Sequence, residues 1–504
     1  MGSELRAVTD DVDQPEGIGA LKKDLRAPWP DARRRAVKGL AALGTDEAWR
    51  LVMDALEDRD GQVADTAQLA LAGLDRERLV RELIGARGLR HDDPWVRRRA
   101  ADALGRIAAP LFDPDELIRA FDRREPDVTI AALWSLERLA VAGRVADERA
   151  KIVREVERET ARGRAPRVRA HALLTLEALD STLAGARAEA LASDGEALVR
   201  AAALRLRLGR NGADGIEAFT RVLQRGLADS APEVRAVGLA CVAAAPTRST
   251  LALVAQQLTR EPRLALRIRT LDVLRTATGW KHGANPDAWA MALARLPDDW
   301  DGRPVVAREA PSSVGERSIA TIGRLEPLSD RLAILIDFSG SLWNVQAEGK
   351  TRKELLDPEF RKLVGGLSKE ARFNVVPFTG VPHPWQDGLI SADPRRVKEA
   401  QDTYSRWSMR GQGDAFGAIE VALADPEVDR VLLLTDGAPT GGRRWDLPLM
   451  VELLLQAGRV RPVIFDVVLV DAPRGTARRW QRLTDETGGR LLAVSFSPPE
   501  GGAK

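Results

Sequence analysis

Along the first 300 residues the apolar positions fall on a stripe spaced i, i+4, i+8, with a small residue in the middle, and the stripe recurs. It is clearest at Pro94-Trp95-Val96-Arg97 with Ala100 and Leu104, and at Pro166-Arg167-Val168-Arg169 with Ala172 and Leu176. Looser copies start at Val63, Val128, Val199 and Val234, and the most degenerate at Ala32 and Leu266, so eight copies follow one another at intervals of 31 to 40 residues. Such a stripe is one face of a helix that packs closely on a neighbour, and each unit predicts a helix pair. Acidic residues followed by proline, as at Asp93-Pro94 and Glu125-Pro126, predict capped helix starts. Trp29, Trp95 and Trp134 recur near or inside these helices as packing residues.

Between Asp301 and Asp330 the rhythm breaks at Pro304, Pro311, Ser312, Ser313, Gly315 and Pro327, which predicts a linker, with Arg317 to Ile322 apolar enough to pack as an edge strand. From Arg331 the period changes. Apolar runs at Leu332–Ile336, Phe373–Phe378, Val431–Leu434, Pro462–Val470 and Arg490–Val494 alternate with helical stretches, which predicts a mostly parallel, doubly wound α/β sheet. The expected organisation is multidomain: an all-α solenoid over 15–300, a linker over 301–330, a Rossmann-like α/β domain over 331–497 and a disordered tail over 498–504. The proline-bearing junction predicts halves that fold independently.

Candidate chemistry gathers where two apolar runs end. Ile334-Leu335-Ile336 leads into Asp337-Phe338-Ser339-Gly340-Ser341, and Val431–Leu434 leads into Thr435-Asp436-Gly437. Two strands thus deliver carboxylates and hydroxyls to the carboxyl edge of the sheet, where open α/β sheets bind ligands. Oxygen donors of this kind suit a hard divalent cation, and with no His or Cys in either stretch zinc is disfavoured. The four histidines are scattered, and Asn344–Thr351 only superficially echoes a phosphate-binding loop, so no catalytic constellation is visible and the expectation is a non-enzyme.

Composition narrows the partners. Lys plus Arg (76) nearly balances Asp plus Glu (74), and a formal charge of +2 supplies no general attraction for nucleic acid or anionic lipid. Arg97, Arg169, Arg200, Arg235 and Arg267 recur as a ladder; pairing with acidic groups in adjoining turns, such as Asp92 or Asp194, is expected ahead of phosphate tracking. The single cysteine, Cys241, sits among small apolar residues and excludes intramolecular disulfides. Without an apolar run long enough to span a bilayer or a signal-like start, the sequence as written reads as cytoplasmic, or exported if Met1-Gly2-Ser3 replaces a removed leader.

The repeat pattern resembles HEAT-type helical repeats over roughly Ile18 to Asp299, which implies a curved solenoid. From Arg331 to Ser495 the sequence resembles a von Willebrand factor A domain, whose metal-ion-dependent adhesion site is written D-x-S-x-S, then a loop Thr, then a late Asp. The resemblance implies metal ligation by Asp337, Ser339, Ser341 and Asp436. The implied cation is Mg²⁺, with Mn²⁺ or Ca²⁺ as alternatives, and the implied partner is a protein that adds an Asp or Glu carboxylate to the metal. In Gly411-Gln412-Gly413-Asp414 the Thr position is Gly413, which implies weaker binding or coordination handed to water, Gln412 or Asp414. Trp343, Trp407, Arg410, Arg443, Arg444 and Trp445 surround this edge in three loops and are expected to form a ligand-binding rim, with Trp385 covering another part. Two alternatives stand beside this adaptor reading. One is an RNA-binding protein, because Ro-type ribonucleoproteins join HEAT-like repeats to the same domain type; the other is a structural scaffold with a metal-free site.

Overall fold

A computed structural model describes residues 17–145, 149–210, 216–297, 300, 302–305, 317–326, 328–346 and 349–496. Each of the eight stripe copies lies on a helix: Pro30–Leu43, Gly61–Ala70, Pro94–Arg106, Pro126–Val141, Pro166–Leu179, Ala197–Arg210, Pro232–Ala244 and Leu264–Thr278. Their small middle residues, among them Ala36, Ala67, Ala100 and Ala132, are buried where neighbouring helices meet. Asp93 caps its helix by accepting from the Trp95 amide at 2.8 Å. Glu125, at the equivalent place, makes no side-chain cap.

The ladder arginines hold this stack in register. Arg169 pairs with Asp194 at 2.5 Å, Arg200 with Asp229 at 2.8 Å and Arg235 with Glu261 at 2.7 Å. Arg97 reaches the carboxylate of Asp122 at 3.5 Å and only the carbonyl of Asp92. Arg267 is exposed. Four of the five rungs are thus spent on acidic partners inside the array.

The second domain is a seven-stranded sheet in the order β1-β7-β6-β5-β2-β3-β4. The strands are β1 Arg317–Ser318, β2 Arg331–Asp337, β3 Arg372–Phe378, β4 Ile390–Ser391, β5 Arg430–Thr435, β6 Ile464–Val470 and β7 Leu491–Ser495. All neighbours run parallel except β3 and β4. Alternation along β2 sends Ala333 and Leu335 to one core, and Leu332, Ile334 and Ile336 to the other, so helices cover both faces. Part of the expected linker belongs here: Arg317–Ser318 pairs with β7, and the turn of 3₁₀ helix Ile319–Arg324 packs on helix Arg352–Gly365, because Ile322 has a fully buried place in that core. Positions 301, 306–316 and 327 of the linker and the tail 498–504 lie outside the described residues.

The halves are not separate bodies. Leu449, Leu453 and Val460 of the sheet domain join the solenoid's first core, and Trp95 of the solenoid packs on the sheet's. Polar contacts continue the seam. Glu452 takes Arg106 at 2.8 Å and Arg138 at 3.2 Å, and Arg459 takes Glu137 at 2.8 Å. The proline-bearing junction thus joins two halves that share an interface in which charged groups on each side neutralise those on the other.

Candidate metal centre and its surroundings

β2 connects to β3 on one side while β5 flanks it on the other, so the order of the sheet reverses between β2 and β5. Ile336 lies opposite Leu434, which sets Asp337 beside Thr435 at the carboxyl edge of that switch point. Asp337 is buried. Its Oδ2 accepts from the Thr435 hydroxyl at 2.7 Å and its Oδ1 from the Ser339 amide at 2.9 Å. Burial pushes the Asp337 carboxyl up to about 6, with the charge of Asp436 adding to the effect and the Thr435 hydrogen bond opposing it. The Ser339 and Ser341 hydroxyl oxygens lie 3.1 Å apart. Their loop is pinned from outside: Gly340 N–H donates to the Gly411 carbonyl at 3.1 Å.

The other candidate ligands are placed differently. Asp436 is half-buried with Arg352 Nη1 at 3.7 Å, and the same guanidinium reaches Asp471 at 3.5 Å. Its charge is therefore shared with a cation that no sequence spacing announces. Asp414 is committed to the helix Ala415–Ala424, whose Gly417 N–H it caps at 2.9 Å, and burial raises its carboxyl to about 6. Gln412 lies against Gly441, near Asp60 of the solenoid. Of the two residues expected to stand in for the missing Thr, Asp414 thus serves as a helix cap and Gln412 packs on Gly441. Gly413 does occupy the expected place, since a Cβ built on it would sit 2.9 and 3.1 Å from the two Asp337 oxygens. Its own backbone is held by Thr440, whose hydroxyl accepts from Gly413 N–H at 2.7 Å and whose N–H donates to the Gly413 carbonyl at 3.2 Å. Sequence reasoning missed Thr435, Thr440 and Arg352; only Thr435 carried a signal, by standing one residue before Asp436.

The aromatic rim divides. Trp343 and Trp407 rest on Phe338 with ring centroids 6.2 and 5.6 Å away, and Arg410 lies 4.5 Å over Trp343. Both indole Nε1 atoms are buried without a hydrogen-bond partner among the described residues. Trp385 packs on Phe373 at 5.5 Å. Arg443, Arg444 and Trp445 are not part of an open rim. Arg444 is buried against Asp65 at 2.9 Å and Gln68 at 2.6 Å, Trp445 lies under Arg34, and the exposed Arg443 stacks on Trp95. They are the sheet domain's anchor on the solenoid, which a single loop's composition cannot distinguish from a ligand surface.

Comparison with known proteins agrees with both halves. A family model of HEAT repeats matches residues 51–137. Mouse inter-alpha-trypsin inhibitor heavy chain 4 is 28% identical over 130 residues, 23% of this chain and 13% of that protein. Human von Willebrand factor A domain-containing protein 3B is 28% identical over 123 residues, 24% of this chain and 9% of that protein. The chain thus spans about a tenth of the length of the curated relatives it matches. Among solved structures, BatB from Bacteroides thetaiotaomicron is 17% identical, covering 33% of this chain and 90% of its own, with a TM-score of 0.25. The N-terminal region carries HEAT repeats, and the C-terminal domain is of the von Willebrand factor A type. No helix among the described residues is long and apolar enough to cross a membrane.

Proposed function

We propose that the protein is a non-enzymatic protein-interaction scaffold whose sheet edge holds a divalent cation, Mg²⁺ first and Mn²⁺ or Ca²⁺ as alternatives, and through it a carboxylate of a protein partner. The supporting observation is the donor set. Two oxygens on adjacent positions of an octahedral Mg²⁺ lie about 3 Å apart when each bond is about 2.1 Å, and the Ser339 and Ser341 hydroxyls are 3.1 Å apart beside Asp337. Asp337 is a buried carboxylate with no cationic side chain within 4.0 Å among the described residues. A divalent ion supplies the missing charge. Asp337, Ser339 and Ser341 would hold it, while Asp436 is drawn toward Arg352 and contributes less. The ion, when bound, supplies electrostatic attraction for a partner's carboxylate oxygen. Thr435 and the Ser339 amide fix the orientation of Asp337, and Trp343, Trp407 and Arg410 flank the edge as the contact surface. Nucleic-acid binding has less support, because the arginine ladder is occupied by acidic residues.

The test is a thermal titration of the full chain with Mg²⁺ and Mn²⁺ to about 10 mM, since an ion that binds only the folded state raises its melting temperature. Asp337→Ala should remove that rise. A flat response in the wild type would leave a scaffold with a metal-free edge.

A further inference from the structure

We infer that the cavity between the solenoid and the sheet domain binds a small organic dianion of the phosphate-ester class through Arg205 and Arg269. The cavity measures about 880 Å³ and is walled by both halves of the chain, including Arg205 and Arg269 from the solenoid and Leu453, Ala457 and Val460 from the sheet domain. That volume falls within the range of small-molecule sites. It lies by the C-terminal end of helix Leu447–Gly458, which precedes β6, and so at the amino edge of the sheet, away from Asp337.

An internal contrast sets Arg205 and Arg269 apart. Arginines of the solenoid are paired with carboxylates almost wherever they are sheltered: Arg33 with Asp58, Arg106 with Asp102, Arg169 with Asp194, Arg200 with Asp229 and Arg235 with Glu261, all within 2.8 Å. Arg205 and Arg269 are half-buried, yet neither has a carboxylate within 4.0 Å among the described residues. Each makes one contact, to the Arg459 carbonyl at 3.4 Å and the Thr487 carbonyl at 3.5 Å, the outer limit of a hydrogen bond. A guanidinium has five N–H donors, so most are left for something in the cavity.

The remaining arginines of the wall are occupied. Arg98 pairs with Glu420, Arg167 with Asp127, Arg459 with Glu137 and Arg482 with Glu486, while Arg461 donates to the carbonyls of Leu423, Asp425 and Val428. Burial lowers the basicity of both guanidiniums; at Arg269 the charge of Asp272 opposes that and the charge of Arg205 adds to it, while at Arg205 the charge of Arg459 adds to it. Two forked donors facing one space, whose nearby carboxylates Asp127, Glu420 and Glu486 are paired with other arginines, match an oxyanion that takes bidentate hydrogen bonds. A competing account is docking alone: Arg459 and Thr487 stand at helix C-termini, whose partial negative charge attracts cations. The experiment separates the two.

The full chain, kept free of divalent metal, is titrated with inorganic phosphate and with pyrophosphate against chloride at equal ionic strength, following melting temperature and heat of binding. The expected result is saturable, one-to-one binding of pyrophosphate with a rise on the order of 2–4 °C near saturation. Arg205→Gln with Arg269→Gln should abolish that rise while leaving the ligand-free melting temperature equal or higher, because it removes mutual repulsion. Asp337→Ala should respond like the wild type. If the double Gln variant does not fold, Arg205→Lys with Arg269→Lys replaces it, with affinity expected to fall roughly tenfold as the forked geometry is lost. Absence of saturable binding in the wild type, or a double variant that melts several degrees lower yet keeps the pyrophosphate response, would falsify the site and leave two docking contacts.

Discussion

Asp65, in the solenoid helix Gly61–Ala70, and Asp337, at the end of β2, are both buried aspartates, and their surroundings treat the charge in opposite ways. Asp65 is wholly buried and accepts from Arg99, from Arg444 at 2.9 Å, and from the Trp445 and Asp446 amides at 2.7 and 3.0 Å. Burial alone would raise its carboxyl, but Arg444, Arg99 and those amides outweigh it and hold it below the ordinary range. Among the described residues Asp337 has one hydroxyl and one amide as hydrogen-bond donors and no cation within 4.0 Å, and burial carries it up to about 6. A carboxylate whose neighbours complete it belongs to the architecture; one left short of positive charge is where a ligand has room to add something.

That comparison breaks most visibly at Asp65. Asp65→Ala leaves two buried guanidiniums facing each other without their shared anion and should cost about 3–5 kcal/mol in urea unfolding of the full chain. A loss below about 1 kcal/mol would mean that the seam is not held as drawn. Asp337→Asn, in contrast, should leave the metal-free protein as stable as the wild type or more so.

A pH series extends the contrast to a buried base. His171 accepts the Trp134 indole N–H at Nδ1 at 3.2 Å, and burial, with Arg459 and Arg167 adding to it, lowers its pKa to about 3. The folded state thus holds the neutral ring, so its contribution to stability is full above the unfolded value of 6.5 and is lost as pH falls from there toward 3. The slope should reach about 1.4 kcal/mol per pH unit. His171→Leu should flatten that limb; an unchanged slope would place the titrating group elsewhere.

Two smaller effects sharpen the metal edge. Gly413→Thr installs the hydroxyl that the resemblance expects, but its Cβ meets Asp337 at 2.9 Å, so the outcome should be a loss of about 1–3 kcal/mol and no gain in Mg²⁺ response. Tighter Mg²⁺ binding by that variant would show that the loop yields. Ser341→Ala should change metal-free stability by less than about 0.5 kcal/mol while lowering the Mg²⁺-induced thermal shift. Equal shifts in the two proteins would remove Ser341 from the ligand set.

How much of this was legible in the sequence follows from the range of each interaction. The eight stripe helices and five principal strands are local patterns of period 3.6 and 2, and the structure places each where its apolar positions fall. Asp337, Ser339 and Ser341 were readable because strand ends set them down together. β4, two residues long, offered no periodicity to read. Arg352 beside Asp436, and Thr440 against Gly413, depend on how loops fold over one another. Arg444 and Trp445 misled for a related reason: Arg and Trp serve an internal seam and an external partner equally well, and only the position of Asp65 decides between them.

The reach of that seam sets an order of events during synthesis. Asp65 and Arg444 are 379 residues apart. At about 5–20 residues per second, roughly 20–80 s pass between the two emerging from a ribosome. Over that interval the helices bearing Asp65 and Arg99 can stack, but their charges stay in water, waiting for a loop not yet made. Closing the two halves is then a late step that expels that water, and a chaperone meeting the nascent chain would find a carboxylate and guanidinium lying open on the inner face of the array.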